Sequence, residues 1–191
     1  RLAALYSDWC EYPMLYVFLD TWLSKRWNAR VLGGSGRTSI PYVHVRDAAE
    51  FFLRVLERAD SLDPAEVLLC SSDGAVSHRQ LFDATTEYYF GARARPLHVP
   101  MPLAWLGMWG RDTAGRFLGQ RPFERAWMAR YIDTELAVDA SHTRERLHWA
   151  PNPRLAILNR IPFMIENLKA NPMEWLMRNR EILDHAHFEP N

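Results

Sequence analysis

The first hundred residues alternate short apolar segments with helices that carry their own start and stop signals, and that succession restricts the chain to a layered α/β fold. Leu2-Ala3-Ala4-Leu5-Tyr6 reads as a short buried strand. Leu15, Phe18, Leu19, Trp22 and Leu23 then fall on one face of a helix, and Lys25 and Arg26 lie near its end, where positive charge suits the helix dipole. Ile40-Pro41-Tyr42-Val43-His44-Val45 reads as a strand whose proline confines it to an edge or to its start. Asp47 and Glu50 have the spacing of a capping box, and the helix they open should bury Ala48, Phe51, Phe52, Val55, Leu56 and Ala59. Val67-Leu68-Leu69-Cys70 suits a strand covered on both faces, as in a parallel sheet. Ser77 and Gln80 make a second capping box, on a helix that should end at Gly91, and Leu97-His98-Val99 is a brief extended piece.

Beyond residue 100 the pattern changes. Residues 101–130 are rich in Trp, Met and Gly, consistent with helices broken by loops. Ser141 can cap a helix running to Leu147, and Leu155, Leu158, Ile161, Ile165 and Leu168 mark another, with Pro162 predicting a kink. Asn171-Pro172 followed by Glu174 is a well-formed helix start. The chain therefore divides into an α/β portion, 1–100, and a mostly helical portion, 101–191.

Lys plus Arg and Asp plus Glu are both 23, so the basic excess of a nucleic-acid binder is missing. No apolar run reaches the roughly 18 residues of a membrane span. Cys10 and Cys70 have no metal-type spacing and read as reduced thiols of a cytoplasmic protein. The immediate strand after Arg1 leads us to expect an upstream part.

Individual motifs carry little chemistry. Gly33-Gly34-Ser35-Gly36 lacks the third glycine and the following helix of a dinucleotide fingerprint, and no Lys-Ser/Thr completes a P-loop, so it reads as a turn. There is no Gly-x-Ser-x-Gly elbow, and His142, His148, His185 and His187 lack the convergent partners a zinc site needs. His44, inside a strand and just before a helix, is either a satisfied core histidine or part of a cleft. Trp105, Trp109, Phe117, Phe123 and Trp127, with Met101, Met108 and Met128, can form a core, an apolar pocket wall, or a membrane or partner surface; Arg111, Arg116, Arg121 and Arg125 interleave with them.

Three segments carry a resemblance: Arg1-Leu2-Ala3-Ala4-Leu5-Tyr6, Val43-His44-Val45-Arg46-Asp47-Ala48-Ala49, and Arg146-Leu147-His148-Trp149-Ala150-Pro151. In this order, with the intervening strands and helices, the chain resembles the later half of the extended short-chain dehydrogenase/reductases, the NAD-dependent epimerase/dehydratase family. The resemblance implies the later part of a Rossmann-type parallel sheet joined to a helical substrate-binding region. It also implies hydride transfer with NAD or NADP in an intact parent. The family's glycine fingerprint and Tyr-x-x-x-Lys are absent, since Tyr42 and Arg46 have the spacing but the wrong base. Both would lie upstream of Arg1, leaving this part with no catalytic residue or metal ligand and no tight dinucleotide binding.

The resemblance places Leu5 and Tyr6 on the nicotinamide side, puts Arg37 and His44 with Tyr6 in the substrate cleft, and lets Trp105 and Trp109 cover an apolar substrate. Nucleotide-sugar members carry an Arg seven residues before the capping Asp, where this chain has Ile40, and His148 replaces the usual Gly before Trp149. The expected partners are a small, apolar substrate and the N-terminal half, with self-association through an open sheet edge giving a homo-oligomer. A non-catalytic binding or regulatory module that keeps the fold, and a membrane- or partner-docking domain using the Trp/Met segment, are the alternative readings.

Overall fold

Backbone hydrogen bonds show how the short apolar segments are used. The computed structural model describes residues 1–119 and 126–185. β1 (Ala4–Tyr6) leads through a tight turn to α1 (Pro13–Trp22), whose first position is a proline that needs no donor there. β2 (Val31–Gly33), β3 (Ser39–Ile40) and β4 (Tyr42–His44) follow, and β4 passes directly into α2 (Val45–Glu57). Then come β5 (Val76–Ser77), α3 (His78–Phe90), β6 (Leu97–Val99) and α4 (Met101–Leu118), and after them α5 (Ser141–Leu147), α6 (Ile157–Ala170) and α7 (Pro172–His185). The expectations for Arg121, Phe123, Arg125 and His187 fall outside the described residues.

β1 pairs in parallel with β4, Ala4 opposite Tyr42 and Tyr6 opposite His44. β2 pairs in parallel with β6, and β3 antiparallel with β5. The result is a helix-rich α/β fold built on small, mostly parallel strand pairs. Side chains alternate across the β1–β4 pair, so its two faces meet separate apolar clusters. Tyr6 and Tyr42 join Leu15, Leu81, Ile161 and Met164 from α1, α3 and α6. Val43 joins Phe51, Leu68, Cys70, Leu147 and Trp149. Each cluster thus draws on residues from both sides of position 100. Cys10 and Cys70 are free and buried.

Several local expectations are corrected. Val67-Leu68-Leu69-Cys70 makes one parallel bridge, from Cys70 to Leu2, rather than a full strand. The Leu69 amide donates instead to Thr143 Oγ1 at 2.7 Å, and Val67 is exposed. The helix expected to start at Asp47 starts earlier, because β4 runs straight into it: His44 is its N-cap, with Nδ1 accepting from the Arg46 amide. Asp47 is therefore buried inside the first turn, and its carboxylate accepts from the amide of Asn152 at 3.1 Å. Phe52 and Leu56, expected to be buried, are exposed, while Ala48 and Phe51 form the packed face of α2. Ser141 is the first residue of α5 rather than its cap, and Asp139 accepts its amide. The Ser77–Gln80 capping box is fully formed and α3 ends at Gly91 in the left-handed region, as read. α6 continues through Pro162. His148, in the usual glycine position, has φ 47° as the C-cap of α5, which is why glycine suits that place.

Candidate functional site

Parallel strands of α/β folds gather their functional groups at carboxyl ends, and here β1 and β4 end side by side. β1 runs into Ser7-Asp8-Trp9-Cys10, closed by reciprocal Ser7–Cys10 backbone bonds. Cys10 and Glu11 both have positive φ, 74° and 53°, which costs energy in residues with a Cβ. Two asparagines hold the turn in that shape. Asn179 on α7, 1% exposed, donates to the Trp9 carbonyl and accepts from the Glu11 amide, both at 2.9 Å. Asn167 on α6 donates to the Asp8 carbonyl.

The turn delivers the Asp8 carboxylate to two partners. Arg160 of α6 grips it in a two-pronged pair, Nε and Nη2 at 2.7 and 2.6 Å, with its guanidinium stacked 3.6 Å over the Phe163 ring centre. His44 Nε2 lies 3.3 Å from Asp8 Oδ1, the oxygen that also accepts from Arg160 Nε. Because Nδ1 accepts from the Arg46 amide, the proton of a neutral ring sits on Nε2 and points at Asp8. Burial holds His44 below the ordinary histidine value against the pull of Asp8, so the ring is neutral near pH 7. Burial raises Asp8, but the Arg160 bonds and charge outweigh it and the carboxyl lies below its usual range. Burial raises Asp47, partly offset by the Asn152 amide.

A cavity of about 360 Å³, within the size range of small-molecule sites, opens beside this network. Its walls include His44, Asp47, Ser72, Asp73 and Arg144, closed by the backbone after Trp149. Arg144 is paired with Asp73. Both ring nitrogens of His44 are engaged, by Asp8 and by the Arg46 amide, so the polar groups left facing this mostly apolar hollow are the Asp47 and Asp73 carboxylates and the Arg144 guanidinium, which suit holding a polar group of a small molecule.

The predicted residues part company here. His44 lines the cavity. Tyr6 stands behind it, 2% exposed, edge-on to the His44 ring at 5.3 Å, with its hydroxyl donating to the Leu155 carbonyl. Leu5 is partly exposed on β1. Arg37 is exposed on the glycine turn and does not line the cavity, because its own amide is bound to Asp133 at 3.3 Å. Trp105 and Trp109 stack on each other on α4, ring centres 6.5 Å apart, and also lie off the cavity.

The glycine turn has an internal occupant. Asp133 Oδ1 accepts from the amide and hydroxyl of Ser35, each at 2.8 Å, and from the Arg37 amide. These amides form the kind of nest that binds anions, and the anion is the chain's own carboxylate. Gly34, at φ 64°, passes so close that a Cβ would sit 2.5 Å from Asp133. The turn reading holds.

Sequence reasoning missed Asp8, Arg160 and Asn179. Asp8 had a signal, since it follows a predicted strand at its carboxyl end. Arg160 and Asn179 had none, because only tertiary packing brings them to a residue more than 150 positions away.

No family model matches the sequence, and no curated protein matches it. Solved structures do. The protein gox2253 superposes with TM-score 0.59 at 16% identity, covering 89% of this chain and 48% of its own. UDP-glucose 4-epimerase from Thermotoga maritima superposes with TM-score 0.57 at 17% identity, covering 90% of this chain and 45% of its own. A UDP-glucuronic acid 4-epimerase variant from Bacillus cereus, solved with a UDP-sugar derivative and NAD, gives TM-score 0.56 at 13% identity, covering 89% and 44%. This chain thus spans a little under half the length of each, and at these identities what it shares with them is the fold.

Proposed function

We propose that this chain is the C-terminal, substrate-binding part of an NAD(P)-dependent epimerase, dehydratase or reductase, with the dinucleotide loop and the Tyr-x-x-x-Lys pair supplied by residues before Arg1. The observation that carries the reading is that about nine-tenths of the chain superposes on less than half of epimerases, one of them solved with NAD. The exposed apolar side chains of Leu2 and Leu5 at β1, and of Phe52, Leu53 and Leu56 on α2, support it, because they offer an upstream sheet and helix a surface to cover. In this reading residues 1–100 complete the sheet, residues 101–191 form most of the substrate region, and the cavity beside His44 belongs to the substrate side. Ile40, in the place of the nucleotide-sugar arginine, favours a less polar substrate.

Calorimetric titration tests the proposal. The 191-residue chain should show no tight binding of NAD or NADP, and a longer protein that includes the upstream residues should bind one of them. Tight dinucleotide binding by the 191-residue chain alone would refute it.

A further inference from the structure

The turn after α1 and the chain after α3 enclose a second hollow, of about 530 Å³, which shares no lining residue with the cavity beside His44. Trp22 and Ala29, both buried, form its apolar base, and Trp22 is held there by Phe18 stacked on it and Phe82 edge-on. Four cations line the hollow, Lys25, Arg26, Arg30 and Arg93, and among the described residues no acid does. Two of the four are already neutralised from outside it, Arg26 by Asp20 and Arg93 by Glu87, each at 2.7 Å. The side chains of Lys25 and Arg30 have no hydrogen-bond or ion-pair partner among the described residues.

The backbone that carries these two cations is fixed. Ser24 Oγ donates to the Thr21 carbonyl at 2.7 Å and accepts from the Arg26 amide at 3.1 Å. The Ala29 amide donates to the Arg26 carbonyl, and the Arg30 carbonyl accepts from the amide of Leu97, the first residue of β6. The dipole of α1 accounts for positive charge at Lys25, but that effect fades within the last turn of a helix, and Arg30 lies past it, next to the start of β2. Trp27 lines the same hollow with 92% of its surface exposed, and Phe90 with 53%. Two uncompensated cations beside an apolar base and two exposed rings fit a doubly charged oxyanion joined to a planar apolar group. A single carboxylate supplies half of that charge, and a neutral ring none of it.

We propose that this hollow binds a small phosphomonoester that carries an aromatic ring, its phosphate on Lys25 and Arg30 and its ring against Trp27 and Phe90. The inference goes beyond the proposed function and does not rest on it. Calorimetric titration of the 191-residue chain with phenyl phosphate, inorganic phosphate and phenol tests it. Phenyl phosphate should bind saturably, at least about tenfold tighter than either of the other two, and more weakly as salt is raised. Lys25→Gln with Arg30→Gln should weaken that binding at least about tenfold. Trp27→Ala should weaken it about tenfold and leave inorganic phosphate unaffected. All three positions are exposed, so the variants should keep the circular dichroism of the parent, and Arg154→Gln, exposed and off the hollow, should change nothing. Adenosine monophosphate and O-phosphotyrosine present the same two groups on different small molecules, and the tighter of the two identifies the source. No saturable binding of phenyl phosphate, equal binding of phenol or inorganic phosphate, or an affinity unchanged by the Lys25–Arg30 pair of substitutions or by Trp27→Ala would overturn the proposal.

Discussion

Replacing Gly34 with alanine, alongside the same change at Gly91, separates backbone strain from crowding. Both glycines are left-handed, at φ 64° and 74°, so a methyl group costs each about 1 kcal/mol in conformation. At Gly91 the added Cβ meets nothing within 4 Å, and the cost ends there. At Gly34 it would stand 2.5 Å from both Asp133 Oδ2 and Ile132 Cγ2. The carboxylate cannot swing aside without releasing the amides of Ser35 and Arg37. Overpacking adds about 1–3 kcal/mol, and loosening hydrogen bonds to a charged acceptor adds about as much. Gly34→Ala should therefore cost at least about 3 kcal/mol against about 1 kcal/mol for Gly91→Ala. Urea denaturation with an unchanged m-value measures both. In thermal unfolding, each kcal/mol corresponds to about 2–4 °C for a chain of this size. Adding Asp133→Ala to the Gly34 variant should cost less than the two single losses together, since the clash and its partner disappear at once. Equal losses at Gly34 and Gly91 would refute the idea that the turn is built around the carboxylate.

His78 gives a pH prediction. Its ring packs on Phe18 at 4.6 Å, its Nε2 is buried without a hydrogen-bond partner, and burial lowers its pKa to about 4. The folded value lies below the ordinary 6.5, so the unfolded chain binds the proton more readily. The contribution is complete above about pH 6.5 and is lost as pH falls towards 4, by roughly 3 kcal/mol in all. Thermal melts between pH 4 and 7.5 should show a shallower pH dependence in His78→Phe than in the parent, and parallel curves would count against this. At the end of α5, His148→Gly should raise stability by about 0.5–1 kcal/mol, because it removes a Cβ from the left-handed region at the cost of some chain entropy. A lower midpoint in urea would contradict that.

Helix boundaries written in neighbouring residues were legible from sequence: the Ser77–Gln80 box, the Gly91 stop and the Pro172 start were read correctly. Each rests on groups within a few positions, so the local chain decides them. Asp47 had the same local signature and was misread, because its carboxylate found an amide 105 residues away and β4 had already begun the helix at His44. Val67-Leu68-Leu69-Cys70 has a strand's composition, yet Thr143 takes one of its amides, and composition cannot foresee that competition.

The candidate site was legible only in part. His44 announced itself by its place between strand and helix, but the Asp8–His44–Arg160 network depends on a strained turn held by Asn167 and Asn179 from the far end of the chain. Sequence likewise left open whether the Trp/Met segment was core, pocket or surface. A helical stripe specifies which residues share a face, not what that face meets, and packing put α4 outside both apolar clusters. The sequence by itself determined the α/β alternation, the glycine turn and the helix ends, because those are local hydrogen-bonding and steric problems. Tertiary structure decided which polar groups met across the strand ends and which apolar face was left open, because burial and long-range pairing are settled only when distant segments compete for the same partners.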